Sequence, residues 1–326
     1  MPIWTPDLAS VVDSLYCIAG AVALAKVIHW WCPALGLRTT AGYLALTLML
    51  FSVPLLTPQY QLPLDYIYRF DPWRDAVESP PETTQNPILS DVALQMIPFR
   101  TLVRNDLLHA QSPLWSHEMG TGQPLLGNAQ SAPLAPLHLL ALPLPPLRAM
   151  TVTAAWQVFV SLLLMHLLVA QLGASGRSAA LAAIAYGLSV FQIGWLYHPL
   201  SMVSIWLPGT LLALERLRLG KSRAAAGLVL MLSATVSSGH PGMVAISALV
   251  IGVWWLFQVI KSSNRFAFVL TTVVAALIAL GLSAPSWLPL TETIPLSERA
   301  QLLGQSPDLV QPPDFEPSRL LTLVSP

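Results

Sequence analysis

The 326 residues contain 54% apolar and only 10% charged side chains, with a mean hydropathy of +0.62, far from the average of soluble domains. Sixteen basic and sixteen acidic residues cancel, so no overall charge excess draws the chain to nucleic acid, and nucleic-acid binding is excluded as a function class. With only Cys17 and Cys32, a disulfide framework and a cysteine-based zinc site are excluded as well, and the class that remains is an integral membrane protein.

Crossing about 30 Å of hydrocarbon takes about 20 apolar residues, and windows of that size predict eight transmembrane helices, an all-α polytopic fold. They cover about 11 to 31, 41 to 57, 149 to 171, 178 to 196, 200 to 215, 223 to 239, 242 to 260 and 266 to 287. The first is read as a retained span. Acidic Asp7 and Asp13 precede its apolar core and Lys26 lies near its end, the reverse of a cleavable signal.

The chain then divides into two N-terminal helices (1–57), a long loop (58–148), a six-helix bundle (149–287) and a tail (288–326). Basic residues mark the short loops that hold Arg38, Arg177, Arg216 to Arg223, and Lys261 with Arg265, which places those loops in the cytoplasm. By alternation the long loop, the turns at Tyr197-His198-Pro199 and Gly239-His240-Pro241, and the tail face outward.

The long loop is too long for a connector and too polar for lipid, so it is read as a functional element. Its stretch from Val92 to Ala110 mixes Leu94, Ile97, Leu102, Leu107 and Leu108 with Arg100, Arg104 and Asp106, which predicts an amphipathic helix at the membrane surface. The proline-rich run Leu134 to Leu147 is read as re-entrant or interfacial.

Familiar motifs fail. Gly220-Lys221-Ser222 has Glu215 where a phosphate-binding loop requires glycine, and His117-Glu118 has Thr121 where a zinc-protease helix requires histidine. Gly120-Thr121-Gly122 is a turn. What remains is a set of outward polar residues from the ends of different spans, as would line a cavity at a membrane surface. His166, in mid-span, is read as a hydrogen-bonding residue between helices. Glu215 with Arg216 and Arg218 is read as an inner-surface anchor.

The runs Asp71-Pro72-Trp73, Asn86-Pro87-Ile88-Leu89-Ser90-Asp91-Val92 and Gln95-Met96-Ile97-Pro98-Phe99-Arg100 resemble the first outer loop of the YfhO-like bacterial membrane proteins, which belong with the GT-C glycosyltransferases. The resemblance continues through Ser112-Pro113-Leu114-Trp115 and Gly122-Gln123-Pro124-Leu125-Leu126-Gly127-Asn128-Ala129-Gln130. More loosely it includes Tyr197-His198-Pro199, Gly239-His240-Pro241 and Thr291-Glu292, so that it covers about residues 65 to 326. The chain departs from the family at Ser116-His117, where relatives tend to have Asn-Pro. It is also shorter than most members, which leads to the expectation of an N-terminal portion or a shortened member.

The resemblance implies a GT-C-like bacterial inner-membrane enzyme with an outward active site. Such an enzyme takes a sugar from a polyprenyl-phosphate donor in the lipid bilayer to a glycan, lipid or protein acceptor. It implies that Asp91 is the catalytic base. Removing the acceptor proton suits a carboxylate, and the phosphate leaving group needs cationic or donor stabilisation, for which Arg100 and Arg104 share a helical face. They serve equally well as lipid-phosphate anchors. Gln123, Asn128 and Gln130 offer amides suited to sugar hydroxyls, or scaffold their loop. Asp71, Gln95, His198, His240 and Glu292 complete the candidate substrate-binding set, with helix C-capping as the competing role of the two histidines. A divalent metal on Asp71, Asp91 and Glu292 stays open, without support from ligand spacing. The alternatives are a non-catalytic transporter or lipid-handling protein, and an inactive remnant of the family.

Overall fold

A computed structural model describes residues 8–34, 36–79, 84, 86–297 and 300–301. Most of the expected C-terminal tail therefore lies outside the described residues, as does Asp7. The first span is α1 (Leu8–Trp31), which stops just before Pro33. The second apolar segment holds two helices, α2 (Leu37–Leu50) and α3 (Ser52–Leu56), parted at Phe51. Pro54 accounts for the break, because its ring cannot coexist with a helical carbonyl four residues earlier, at Leu50.

The amphipathic stretch is helical as expected. A π-helical turn (Val92–Met96) runs into α4 (Ile97–Leu108), and Val92, Met96, Phe99, Leu102 and Val103 are buried against Leu125 and Met150. Much of its apolar face is thus covered by the protein itself, while Leu94 and Leu108 stay exposed. A small antiparallel hairpin follows, β1 (Trp115–Ser116) with β2 (Gln123–Pro124), closed through Gly120 and Gly122, whose φ values of 60° and 101° suit glycine. The proline-rich run contains α5 (Pro136–Ala141), too short to cross a membrane, and ends in the first residues of the next helix.

The bundle begins with α6 (Pro146–Gln171), apolar on every side, and 83% of its most apolar stretch is buried, so this helix is the axis around which the others pack. Trp156 anchors it to α1. Its indole Nε1 donates to Cys17 O at 2.8 Å, and its ring lies so close to Gly20 that a Cβ there would sit 2.1 Å from it. His166, in the same helix, meets the Tyr43 hydroxyl of α2 through Nδ1 at 2.8 Å, the interhelical role expected of it.

The next apolar segments are α7 (Gly176–Gly187) with α8 (Val190–Gly194), and α9 (Pro199–Ser204) with α10 (Leu207–Arg218). Ser189 starts α8 by capping Gln192 N, and Pro208 parts α9 from α10 by the rule that applies at Pro54. The set closes with α11 (Ala224–Ser237), α12 (Pro241–Lys261) and α13 (Arg265–Thr293), the last continuing through Pro285 and Pro289. Every predicted span is helical, and five segments, at 9–31, 146–171, 199–218, 241–261 and 265–296, are long and apolar enough to cross a membrane. Only 11% of the α12 window and 28% of the α13 window are buried, so these two present apolar faces that lipid would cover.

The charged end of α10 is more than a surface anchor. Glu215 is buried and pairs with Arg218, and Arg216, also buried, donates to Trp31 O at 3.1 Å, which ties α10 to the end of α1.

Candidate functional site

Two turns of the same design build the centre of the site. In Tyr197-His198-Pro199 and Gly239-His240-Pro241, a residue in the left-handed region (φ 74° and 91°) is followed by histidine and then by proline at the first helical position. Each histidine caps the helix that starts after it: His198 Nδ1 accepts from Leu200 N at 3.3 Å and His240 Nδ1 from Met243 N at 3.0 Å. The expected C-capping role is therefore corrected, because proline directly after histidine suits the first turn of a new helix. With Nδ1 accepting, each neutral ring bears its proton on Nε2, a donor left for a ligand.

The two imidazoles lie 6.0 Å apart, with Trp195 edge-on to His198 at 5.3 Å. Burial, helped by His240, holds His198 down at about 4, while the nearby Asp91 charge pulls the other way. Burial lowers His240 too. Both rings are thus neutral at pH 7. Because His198 takes a proton less readily folded than unfolded, its stability contribution is complete above the unfolded value near 6.5 and is lost as pH falls toward 4, by about 3 kcal/mol in total. His198→Asn keeps a capping side chain and is expected to remove that loss. Thermal unfolding between pH 4 and 7 checks it through the narrowing gap between variant and parent.

Asp91 stands in a helical turn (φ −60°, ψ −25°) just before the π-helical turn. Its side chain makes no capping hydrogen bond, because the turn has already begun at Ser90. Among the described residues its carboxylate has no ion pair, and its electrostatic neighbour is His198. Next to His240 a mostly apolar cleft of about 230 Å³ opens between the loop at Leu126 to Pro133 and the ends of α11, α12 and α13, including Val244, Trp287 and Leu290. Its polar lining includes Ser237 and Ser286, and the buried Ser286 Oγ has no partner among the described residues.

The loop against this cleft is held from within. Asn128 Oδ1 accepts from Ser131 N at 2.9 Å, Ser131 Oγ donates to Leu125 O at 2.5 Å, and Thr293 Oγ1 donates to Gly127 O at 2.7 Å. Arg100 Nη1 donates to Ser131 O and Ala132 O, and Arg104 Nε to Leu142 O and Leu144 O. The two arginines do share a face, as their spacing predicts, but that face grips backbone carbonyls of residues 131–144. Burial pulls Arg100 down to about 9, and burial with the Arg100 charge pulls His138 well below its usual range.

The other expected site residues are spread out. Gln95 and Gln130 are half-buried on the π-helical turn and the cleft loop, and Gln123 Nε2 faces Met119 Sδ at 3.1 Å in the hairpin. Asp71 is exposed and paired with Arg74 at 2.7 Å, and Glu292 is exposed in the last turn of α13. Asp71, Asp91 and Glu292 do not form a metal-ligand cluster among the described residues.

Tyr197 escapes a reading by motif. A bulky residue at φ 74° is strained, and its buried hydroxyl has no partner among the described residues. It lines a small cavity of about 10 Å³, room for one water, with Arg100, His138 and the buried, equally unpartnered amide of Gln157.

The sequence profile of the bacterial membrane protein YfhO matches residues 79–306, more than half of the chain and all of the elements that build this site. The chain belongs to the YfhO family. Comparison with curated proteins and with solved structures gives no match. As a YfhO member with several apolar helices it is a multi-pass bacterial membrane protein, and the turns at His198 and His240 lie within the matched region.

Proposed function

We propose that this YfhO-family protein is a membrane glycosyltransferase that moves a sugar from a polyprenyl-phosphate donor to an acceptor hydroxyl on the outer face of the bacterial inner membrane. The observation that carries the reading is the Asp91 carboxylate, without an ion pair among the described residues and within electrostatic reach of neutral His198, whose ring lies 6.0 Å from that of His240 on the border of an apolar cleft. A lipid-linked donor needs that combination: apolar walls for the isoprenoid chain and polar groups where the phosphate and sugar emerge.

In the proposed step the acceptor oxygen attacks the anomeric carbon as the bond from that carbon to the phosphate oxygen breaks. Asp91 takes the acceptor proton, and polyprenyl phosphate departs with the bonding electron pair. The Nε2–H groups of His198 and His240 donate to oxygens of the phosphate or sugar without the cost of burying a charged ring. Arg100 and Arg104 act by fixing the 131–144 segment, and Gln95 and Gln130 are the remaining amides for sugar hydroxyls. The acceptor is a glycan, a lipid or a protein.

The reading requires the histidine turns to face outward, and the basic loops support that orientation. Single cysteines at Ser79 and Ser222, in a background without Cys17 and Cys32, are expected to differ in intact cells. An impermeant thiol reagent labels position 79 and spares 222, and the reverse pattern refutes the orientation. In proteoliposomes, consumption of a radiolabelled polyprenyl-phosphate sugar with an envelope acceptor supports transfer. Donor binding without consumption favours a lipid-handling role.

A further inference from the structure

A second groove, of about 600 Å³, lies far from the histidine turns. Arg223, on its rim, immediately precedes α11, whereas His240 follows the end of that helix, so its 14 residues, about 21 Å of rise, separate the two places. The floor is apolar, with Val22 of α1, Leu44 of α2 and Phe159 of α6. The rim is basic, with Lys26, His29 and Arg223, and among the described residues no carboxylate lines the groove.

Among the described residues no acid pairs with these basic side chains. Lys26 and His29 are exposed without an ion-pair partner among the described residues. Arg223 is held in place: its backbone is left-handed (φ 61°), its Nη1 donates to Trp30 O at 2.8 Å and its guanidinium stacks 5.2 Å above the Trp30 ring. Trp30 itself lines the groove, so the fold sets one cation rigidly at the rim, where the exposed Lys26 and His29 side chains join it.

We propose that this groove is a binding site for an anionic diacyl phospholipid, with acyl chain on the apolar floor and headgroup phosphate on Lys26, His29 and Arg223. The volume is within the range of small-molecule sites. The apolar wall belongs to α1, long and apolar enough to span a bilayer, which makes the source of the phosphate a lipid rather than a free ion. Charge complementarity selects an anionic headgroup, because two cations and an imidazole, with no acid among the described lining residues, offer nothing to the positive group of a zwitterionic one.

Native mass spectrometry of the intact protein in detergent, titrated with phosphatidylglycerol or phosphatidylcholine, tests the site. Retention of phosphatidylglycerol is expected to exceed that of phosphatidylcholine by at least about tenfold, with Lys26→Gln alone reducing it about fivefold and Lys26→Gln/Arg223→Gln bringing it to the phosphatidylcholine level. Lys261→Gln, outside the groove, is expected to leave the preference intact, and inorganic phosphate is expected not to displace the lipid. Benzoylphenylalanine at Val22 is expected to cross-link to phospholipid in liposomes. Equal retention of the two lipids, an unchanged preference in Lys26→Gln, displacement by inorganic phosphate, or a Val22 cross-link to a second copy of the chain overturns the proposal.

Discussion

Asp91→Asn is expected to lower sugar transfer by about 10²- to 10⁴-fold, the usual contribution of a positioned general base, while leaving expression and donor binding near those of the parent. The amide keeps the shape and hydrogen-bonding reach of the carboxylate and loses its basicity. Asp91 suits the role because no cation among the described residues claims it and its electrostatic neighbour His198 is neutral at pH 7. Asp71 is exposed and already paired with Arg74, so Asp71→Asn is expected to change turnover less than twofold, within the small effects of exposed ion pairs. Rates from a radiolabelled polyprenyl-phosphate sugar, with donor binding measured in parallel, check both. Normal turnover in Asp91→Asn with loss in Asp71→Asn moves the base to the Asp-Pro-Trp turn. If neither variant loses measurable transfer, Glu292 becomes the next candidate.

The second large effect concerns stability. Arg148, in the first turn of α6, is buried and pairs with Asp13 of α1 at 3.2 Å. It also donates to Pro54 O, to Thr57 O at 2.9 Å and to Ser10 Oγ at 3.1 Å, and its guanidinium stacks 4.8 Å above Tyr60. One side chain thus fastens α1, α3 and the start of the long loop to the central helix. Arg148→Met takes the Arg148 partner from the largely buried Asp13 charge, together with the bonds to Pro54 O, Thr57 O and Ser10 Oγ, and is expected to cost about 3–5 kcal/mol, read as a fall in the unfolding midpoint in detergent. Adding Asp13→Asn is expected to recover part of that loss, because the buried charge that lost Arg148 is gone. A double variant no more stable than Arg148→Met assigns the cost to the lost carbonyl bonds instead.

The spans were legible because crossing a bilayer demands long apolar runs, whether lipid or other helices cover them, and such runs read directly from residues such as Val152 to Leu168. Their internal breaks follow from Pro54 and Pro208, which hydropathy windows average away. The amphipathic helix was legible, and so was the shared face of Arg100 and Arg104. Their partners were not, since the carbonyls they bind lie 31 to 40 residues downstream and carbonyls leave no mark in a sequence. Asn128 looked suited to sugar for the same reason that it suits a turn: its amide satisfies backbone groups as readily as hydroxyls. The histidine turns were visible as turns, and the proline after each histidine was a signal for N-capping that could have displaced the C-cap reading. Tyr197 and Gln157 carry no such signal, because an unpartnered hydroxyl or amide exists only once the fold has closed around it.

The central claim is that a lipid-linked sugar occupies the cleft beside His240. A polyprenyl-phosphate sugar with a diazirine in its isoprenoid chain, photolysed in proteoliposomes that contain the intact protein, tests this directly. Adducts on Val244, Trp287 or Leu290 that unlabelled donor suppresses are the expected result. Adducts confined to Val22 and Leu44 in the groove at the far end of α11, or labelling that unlabelled donor does not suppress, contradict it.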